Sequence, residues 1–337
     1  MIWIAVDAMG GDEAPRNIVD GALAAVRHFD LGVLLVGAAP VIEAELERAG
    51  DDVDPRAVRV VDAPDVVGME ESPVAALRRK PTASIKVAAD AVARGEASAL
   101  FSAGHTGATV MAAHGAFGML PGIDRPALAA TIPTRRRPAV LLDVGASAEC
   151  RPQHLLQFAV MGEVYTRVVL GTPSPRVGLL STGSEATKGN ELTREAHQLL
   201  KAARLNFVGN VEARDVYSGE ADVIVCDGFT GNVALKISEG LVEVVESLLS
   251  EELSSTITMR VGSLLTRRAL RHFRRRVDYS EYGGAPLLGV AGVTIVGHGR
   301  SSAKAVRNAI AMAYRLADTR FLERVAHDTG TAAVIHH

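Results

Sequence analysis

The chain has 337 residues, 48% of them hydrophobic and only 4% aromatic, with a formal net charge of −3 and two cysteines. That length buries one large α/β core or two lobes sharing a sheet, and the near-neutral charge gives no electrostatic footprint for nucleic acid. Two cysteines make neither a disulfide framework nor a Cys-rich metal site, no apolar run reaches the length of a membrane span, and the N-terminal IWIAV lacks the basic segment of a secretory signal, so a reduced cytoplasm is the expected setting.

Residues 2–6 form an apolar run that ends in Asp7-Ala8-Met9-Gly10-Gly11-Asp12, and Pro15 suits the first turn of a helix. Residues 33–36 and 58–61 repeat the strand-then-turn pattern, with a helix expected over 41–49 between them. This alternation predicts a parallel sheet built from right-handed crossovers. Ser72-Pro73 opens a helix and 83–94 is another. Arg78, Arg79 and Lys80 between them read either as a solvated face or as a docking patch. Residues 99–101 lead through Ser102-Ala103-Gly104-His105-Thr106-Gly107 into a helix over 110–119. His105 suits general acid/base work near neutral pH or a turn bonded to backbone, and Thr106 suits an N-cap.

Residues 128–132 and 139–142 are strands, the second ending in Asp143-Val144-Gly145, and 152–170 is a long helix. The stretch 176–196, RVGLLSTGSEATKGNELTREA, opens as a buried strand and closes at helical spacing. Ser184, Lys188, Gly189 and Asn190 fall between the two, where unpaired backbone N–H groups and a positive helix dipole favour an anion such as phosphate. The alternative is a plain loop with a solvated lysine. Residues 206–208 and 222–225 are further strands, the latter ending in Asp227-Gly228-Phe229-Thr230-Gly231-Asn232 before a helix through 249. Five strand ends thus carry Asp7, Ser102, Asp143, Ser181 and Asp227, and in one parallel sheet they are expected to share a single active-site rim. The segment 251–276 is amphipathic and Arg-rich, a core or dimer helix with a cationic last turn or an interfacial helix facing anionic lipid. Residues 287–296 lead to Gly297-His298-Gly299-Arg300-Ser301, and Ser301 or Ser302 caps a C-terminal helix.

Seven motifs, DAMGGDEAP, SAGHTGA, GIDRPALA, LDVGASAEC, GSEATKGNELTREA, CDGFTGNVALK and EYGGAPLLG, occur in order from Asp7 to Gly289. Together they resemble the bacterial phosphate acyltransferase family PlsX over essentially the whole chain. The resemblance implies one catalytic domain over 1–337 and an α/β fold with a mostly parallel twisted sheet flanked by helices, as in the isocitrate/isopropylmalate dehydrogenase-like and phosphotransacetylase group. It implies formation of acyl-phosphate from acyl-[acyl-carrier-protein] and inorganic phosphate, an early step of bacterial phospholipid synthesis, without cofactor or metal. Implied partners are acyl carrier protein, a second copy in a homodimer, the membrane surface and a PlsY-type glycerol-3-phosphate acyltransferase, for a cytoplasmic protein peripherally attached to the membrane. Glu13 stands where the family usually has His after GGD, and His105 where Asn is common.

Inorganic phosphate is itself a competent nucleophile, so such an enzyme needs no serine or cysteine nucleophile, only orientation of a dianion and donors for the developing oxyanion. On this reading backbone N–H groups around 184–190 and 104–108 hold phosphate and Lys188 neutralises its charge. Asn190 or Asn232 donates to the carbonyl oxygen, and His105 protonates the departing thiolate or hydrogen-bonds to phosphate. Asp143 and Asp227 orient Lys188 and the loop N–H groups, since a bare carboxylate repels phosphate. Asp7, Gly10, Gly11, Ser102, Gly104, Thr106, Gly107, Gly145, Ser184, Gly189 and Gly231 complete the expected substrate-binding loops. Arg78, Arg79, Lys80, Arg267, Arg268, Arg271, Arg274 and Arg275 are expected to meet the acidic carrier protein or anionic lipid. Two rival readings stand beside this one. A metal- and NAD-dependent hydroxyacid dehydrogenase on a similar fold calls for a GxGxxG fingerprint or clustered carboxylates, and neither is evident. A non-catalytic phosphate or acyl-ligand binding protein at the membrane would bind without turnover.

Overall fold

The computed structural model describes residues 1–50, 54–256, 268 and 283–333. The chain opens with β1 (Ile2–Asp7), α1 (Arg16–His28), β2 (Leu31–Gly37), α2 (Ala39–Ala49) and β3 (Val58–Asp62). It continues with α3 (Pro73–Arg79), α4 (Ser84–Ala93), β4 (Ala99–Ser102), α5 (Thr106–Phe117), β5 (Ala127–Ile132) and β6 (Ala139–Leu142). Then come α6 (Pro152–Val169), β7 (Val177–Ser181), α7 (Glu191–Ala202), β8 (Phe207–Glu212), β9 (Val223–Val225) and α8 (Gly228–Ser254). Past the undescribed stretch lie β10 (Ala285–Leu288), β11 (Val293–Val296), α9 (Ala303–Asp318) and α10 (Phe321–Ala333).

All described strands belong to one eleven-stranded sheet of order β3-β2-β1-β4-β11-β10-β5-β6-β9-β7-β8. Its central strands are unbroken Val, Leu and Ala runs because both faces are covered. On one face Ile4, Val6, Val33 and Leu35 pack with α1, α6, α7, α9 and α10. On the other Ala5, Leu34 and Leu100 pack with α3, α4 and α5, and Ala234 and Leu235 of α8 join them. The α/β class with a mostly parallel, helix-flanked sheet is therefore as expected.

The stretch ahead of the 297–301 turn holds the antiparallel pair β10 and β11, with Ala285 opposite Val296. Two features differ from the sequence reading. The helix expected from 110 begins at Thr106, because His105 is its N-cap. The five polar strand ends also do not share one rim. Strand β10 runs antiparallel to β11 and to β5, and β5 runs antiparallel to β6, so three reversals separate β1 and β4 from β6, β9 and β7. Asp7 and Ser102 finish on one edge of the sheet, whereas Asp143, Ser181 and Asp227 finish on the other.

The register brings the two edges close where they meet. Val296 is level with Ala285 and hence with Ala130, while Asp143 follows Leu142, which pairs with Ala129. Val296 and Asp143 are thus offset by two residues, about 7 Å along the strands. A cleft on one face of the sheet can reach both.

Of the Arg-rich segment, Arg268 is exposed, while Arg267, Arg271, Arg274 and Arg275 lie outside the described residues. No helix among the described residues is long and apolar enough to cross a membrane.

Candidate active site

That cleft holds a cavity of about 260 Å³ between the start of α5 and the first turns of α8. Thr106 and Gly107 line it from α5, Gly145 from the loop after β6, Asn232, Lys236 and Glu239 from α8, and Gly297, His298 and Ser301 from the loop after β11. A second, mainly apolar cavity of about 770 Å³ adjoins it, with Thr131, Leu235, Glu239 and His298 common to both. Ile132, Pro133, Tyr217, Leu241 and Val242 provide much of its wall.

Buried carboxylates build the walls and do not enter the cavity. Asp143 Oδ1 accepts from the backbone N–H groups of Leu128, Gly145 and Ala146 at 2.8–3.0 Å, and its Oδ2 accepts from Ser147 at 2.6 Å. Burial pushes its pKa up while those N–H groups pull it down, and the net shift is upward. Asp7 Oδ2 accepts from Ser102 Oγ at 2.7 Å, and Ser102 Oγ accepts in turn from Gly104 N–H at 3.1 Å. Burial likewise raises the Asp7 pKa against the pull of Ser84 and Ser102. Gly10 is required here, since a Cβ on it would stand 2.6 Å from Asp7 Oδ2 and 2.8 Å from Gly104 N. The neighbouring Asp12 N–H donates to Gly299 O at 2.8 Å, so the loop of Gly10 and Gly11 braces the turn that carries His298.

The expected catalytic groups divide. Asn232 lines the cavity, and a Cβ on Gly145 would lie 3.2 Å from its Nδ2. Asp227 caps α8, its Oδ1 accepting from Thr230 N–H at 2.9 Å and its Oδ2 from the Thr230 hydroxyl. His105 caps α5, its Nδ1 accepting from Gly107 N–H at 3.1 Å. Asn190 caps α7 by accepting from Thr193 N–H at 2.9 Å. Ser184, Lys188 and Asn190 are exposed on the loop after β7, and neither they nor Gly189 line either cavity. Gly231 lies in the first turn of α8, beside the Asp143 carbonyl. Of the basic trio, Arg78 and Arg79 are exposed, whereas Lys80 is held at 2.5 Å by Glu71 and donates to Val66 O.

Sequence reasoning missed Lys236, Glu239 and His298. Their signal was available: Asn232, Lys236 and Glu239 stand at helical spacing on one face of α8, and the polar 297–301 turn follows a strand. Lys236 Nζ lies 2.9 Å from Glu239 Oε2 and 3.0 Å from His298 Nε2. Both cysteines are poor nucleophiles. Burial, with Asp143 nearby, pushes Cys150 up to about 12, and burial raises Cys226 well above its usual value.

The molecule is thus an α/β protein with a small cavity carrying polar side chains at the reversal point of its sheet, adjoining a larger apolar one. Solved structures share this fold. They include a phosphotransacetylase from Streptococcus pyogenes (TM-score 0.63, 16% identity, 94% of each chain covered) and a 4-hydroxythreonine-4-phosphate dehydrogenase from Klebsiella pneumoniae (TM-score 0.54, 14% identity, covering 94% of this chain and 99% of that one). A family model described as "Fatty acid synthesis protein" matches residues 2–324, and the chain belongs to that family. Proteins named phosphate acyltransferase are similar to it along nearly their whole length. The one from Pelotomaculum thermopropionicum is 50% identical over 322 residues, 96% of this chain and 93% of that protein. The one from Desulforudis audaxviator is 50% identical over 327 residues, 97% and 96% respectively.

Proposed function

We propose that this acyltransferase joins an acyl group to inorganic phosphate in the cavity between α5 and α8, with acyl carrier protein thioester as donor. The observation that carries the reading is the adjacency of a small cavity carrying Thr106, Asn232, Lys236, His298 and Ser301 to a larger apolar one, with room for a dianion in the first and an alkyl chain in the second. The names of the relatives support phosphate as acceptor.

In the reaction a hydrogen phosphate oxygen attacks the thioester carbon, and negative charge collects on the carbonyl oxygen. The carbon–sulfur bond then breaks, and the proton of hydrogen phosphate ends on the departing thiolate. No covalent enzyme intermediate is needed, in keeping with one half-buried and one buried cysteine whose thiols burial pushes above the usual range. The first turn of α5, with Thr106 and Gly107 at the wall, presents a positive dipole end to phosphate. Asn232 is the amide placed to donate to the developing oxyanion. Asp7, Asp143 and Asp227 hold loops and caps, and His105 acts as the N-cap of α5. Lys188 lines neither cavity, and Lys188→Ala is expected to change the rate of acyl-phosphate formation less than threefold, a small effect beside the ~10²-fold loss expected for removing a transition-state donor.

The wider reading is a single catalytic domain that works as a homodimer on the cytoplasmic membrane surface, passing acyl-phosphate to a PlsY-type acyltransferase. The outward side of α8 supports the dimer, because Phe229, Val233, Ile237, Val244 and Leu248 are exposed on it. Arg78 and Arg79 support docking of an acidic carrier protein, and the Arg-rich 251–276 segment supports contact with anionic lipid. The decisive test is incubation with acyl carrier protein thioester and phosphate, followed by hydroxylamine trapping. Phosphate-dependent acyl hydroxamate is the expected product; release of free fatty acid alone, or none, overturns the reading.

A further inference from the structure

The 297–301 turn belongs to no role assigned so far, yet it is built with care. Ser301 Oγ donates to His298 O at 2.6 Å, Asn17 Nδ2 donates to Ser301 O at 3.3 Å, and Asp12 N–H donates to Gly299 O. These contacts hold one imidazole at the wall of the smaller cavity. Its Nδ1 accepts from the backbone N–H of Arg300 at 3.2 Å, and its Nε2 meets Lys236 Nζ at 3.0 Å. A neutral imidazole has one lone pair, so it accepts from Arg300 or from Lys236 but not from both. An imidazolium would accept from neither. Burial first, then the Lys236 charge, holds the His298 pKa below the usual histidine value. The charged groups facing it are Lys236 and Glu239 from α8, Arg300 from its own loop and Asp12 from the loop after β1. In the tautomer whose Nδ1 accepts from Arg300, the hydrogen sits on Nε2, and two donors converge on one spot in the cavity.

We propose that Lys236 and His298 form the seat of the phosphate, His298 donating through Nε2–H and Lys236 through its ammonium, with Glu239 as the counter-ion that parks Lys236 until the anion arrives. An oxyanion accepts from both donors at once and so resolves the crowding between them. Glu239 Oε2 lies 2.9 Å from Lys236 Nζ and 3.8 Å from His298 Nε2, close enough to compete with phosphate for the same hydrogens. The inference rests on the acyl-transfer reading only for the identity of the anion.

The test is binding of inorganic phosphate alone to the full chain, by calorimetry and by ¹⁵N NMR of histidine-labelled protein. Phosphate is expected to fix His298 as the Nε2–H tautomer and to shift its Nε2 resonance. Lys236→Met and His298→Phe each weaken binding about tenfold or more, whereas His298→Gln, whose amide offers an N–H in nearly the same place, stays within about threefold. Glu239→Gln strengthens binding, a change of sign that lost packing does not produce. The proposal is overturned if wild type binds no phosphate, if folded His298→Phe protein binds it as wild type does, or if Glu239→Gln leaves binding unchanged or weaker. No acyl donor is present, so failure to form acyl-phosphate sinks the functional reading and leaves this measurement standing.

Discussion

Asp143 accepts four backbone N–H groups from two chain segments and offers no hydrogen of its own. An Asp143→Asn exchange keeps the Oδ1 contacts but sets an NH₂ group against the Ser147 N–H. The expected cost is about 1–3 kcal/mol in urea denaturation, with turnover lowered as the Gly145 loop shifts. An unchanged unfolding midpoint would show that the loop holds itself. His105 makes the complementary case. As a cap acting through Nδ1, it is replaceable by Asn, which accepts from the same Gly107 N–H. His105→Asn should keep kcat within about threefold and His105→Ala should cost ~1 kcal/mol of stability; loss of turnover in the Asn variant at normal stability would return His105 to the chemistry. Both residues were visible in the sequence as polar strand ends. Their roles were not, because a carboxylate's partners at Leu128 and a ring's partner at Gly107 depend on how the loops close.

Helix α8 is where one element serves packing, site and surface together. Asp227 caps it, Asn232, Lys236 and Glu239 reach the cavity, and Ile237, Val244 and Leu248 face outward. Its first turns lie so close to the β6 loop that a Cβ on Gly231 would fall 1.9 Å from the Asp143 carbonyl oxygen. Gly231→Ala therefore has to lift the helix. The expected result is a loss of about 1–3 kcal/mol and of turnover, since Asn232 and Lys236 move with it. Wild-type activity in that variant would mean that the helix position does not matter to the chemistry. On the outer side, Ile237→Glu with Leu248→Glu should give a monomer in sedimentation equilibrium if this face joins two copies; a dimer that survives places the interface elsewhere. The helix start was legible from DGFTGN, a cap followed by small residues. The outward stripe was overlooked because a sequence pattern marks an apolar face without saying which side the sheet takes.

Across the whole molecule, alternating strands and helices gave the α/β class, but not the reversal at its centre. Residues 127–142 read as two strands in either direction, and the return of 285–296 to the middle of the sheet depends on pairings more than a hundred residues apart. That is why five strand ends looked like one rim, and why Lys188 looked central. The half of the sheet beyond the reversal is clasped at its start by Arg176 and Asp222, with Nε–Oδ2 at 2.9 Å, an Nη2–Oδ1 contact at 3.0 Å and the Arg176 backbone N–H also on Oδ2. Burial works to raise the Asp222 pKa, but the Arg176 guanidinium and backbone N–H outweigh it, leaving the carboxyl below its usual range. The unfolded chain therefore binds a proton there more readily than the folded one. The stabilisation is present above the ordinary aspartate pKa of about 4 and is lost as pH falls through the folded value. Urea unfolding of wild type and Asp222→Asn across pH 7 to 3 should show the variant less stable by roughly 2 kcal/mol at pH 7, with the gap narrowing in acid as Asp222 is protonated. A gap that stays constant to pH 3 would mean that packing, not the charge of this pair, ties β7 to β9.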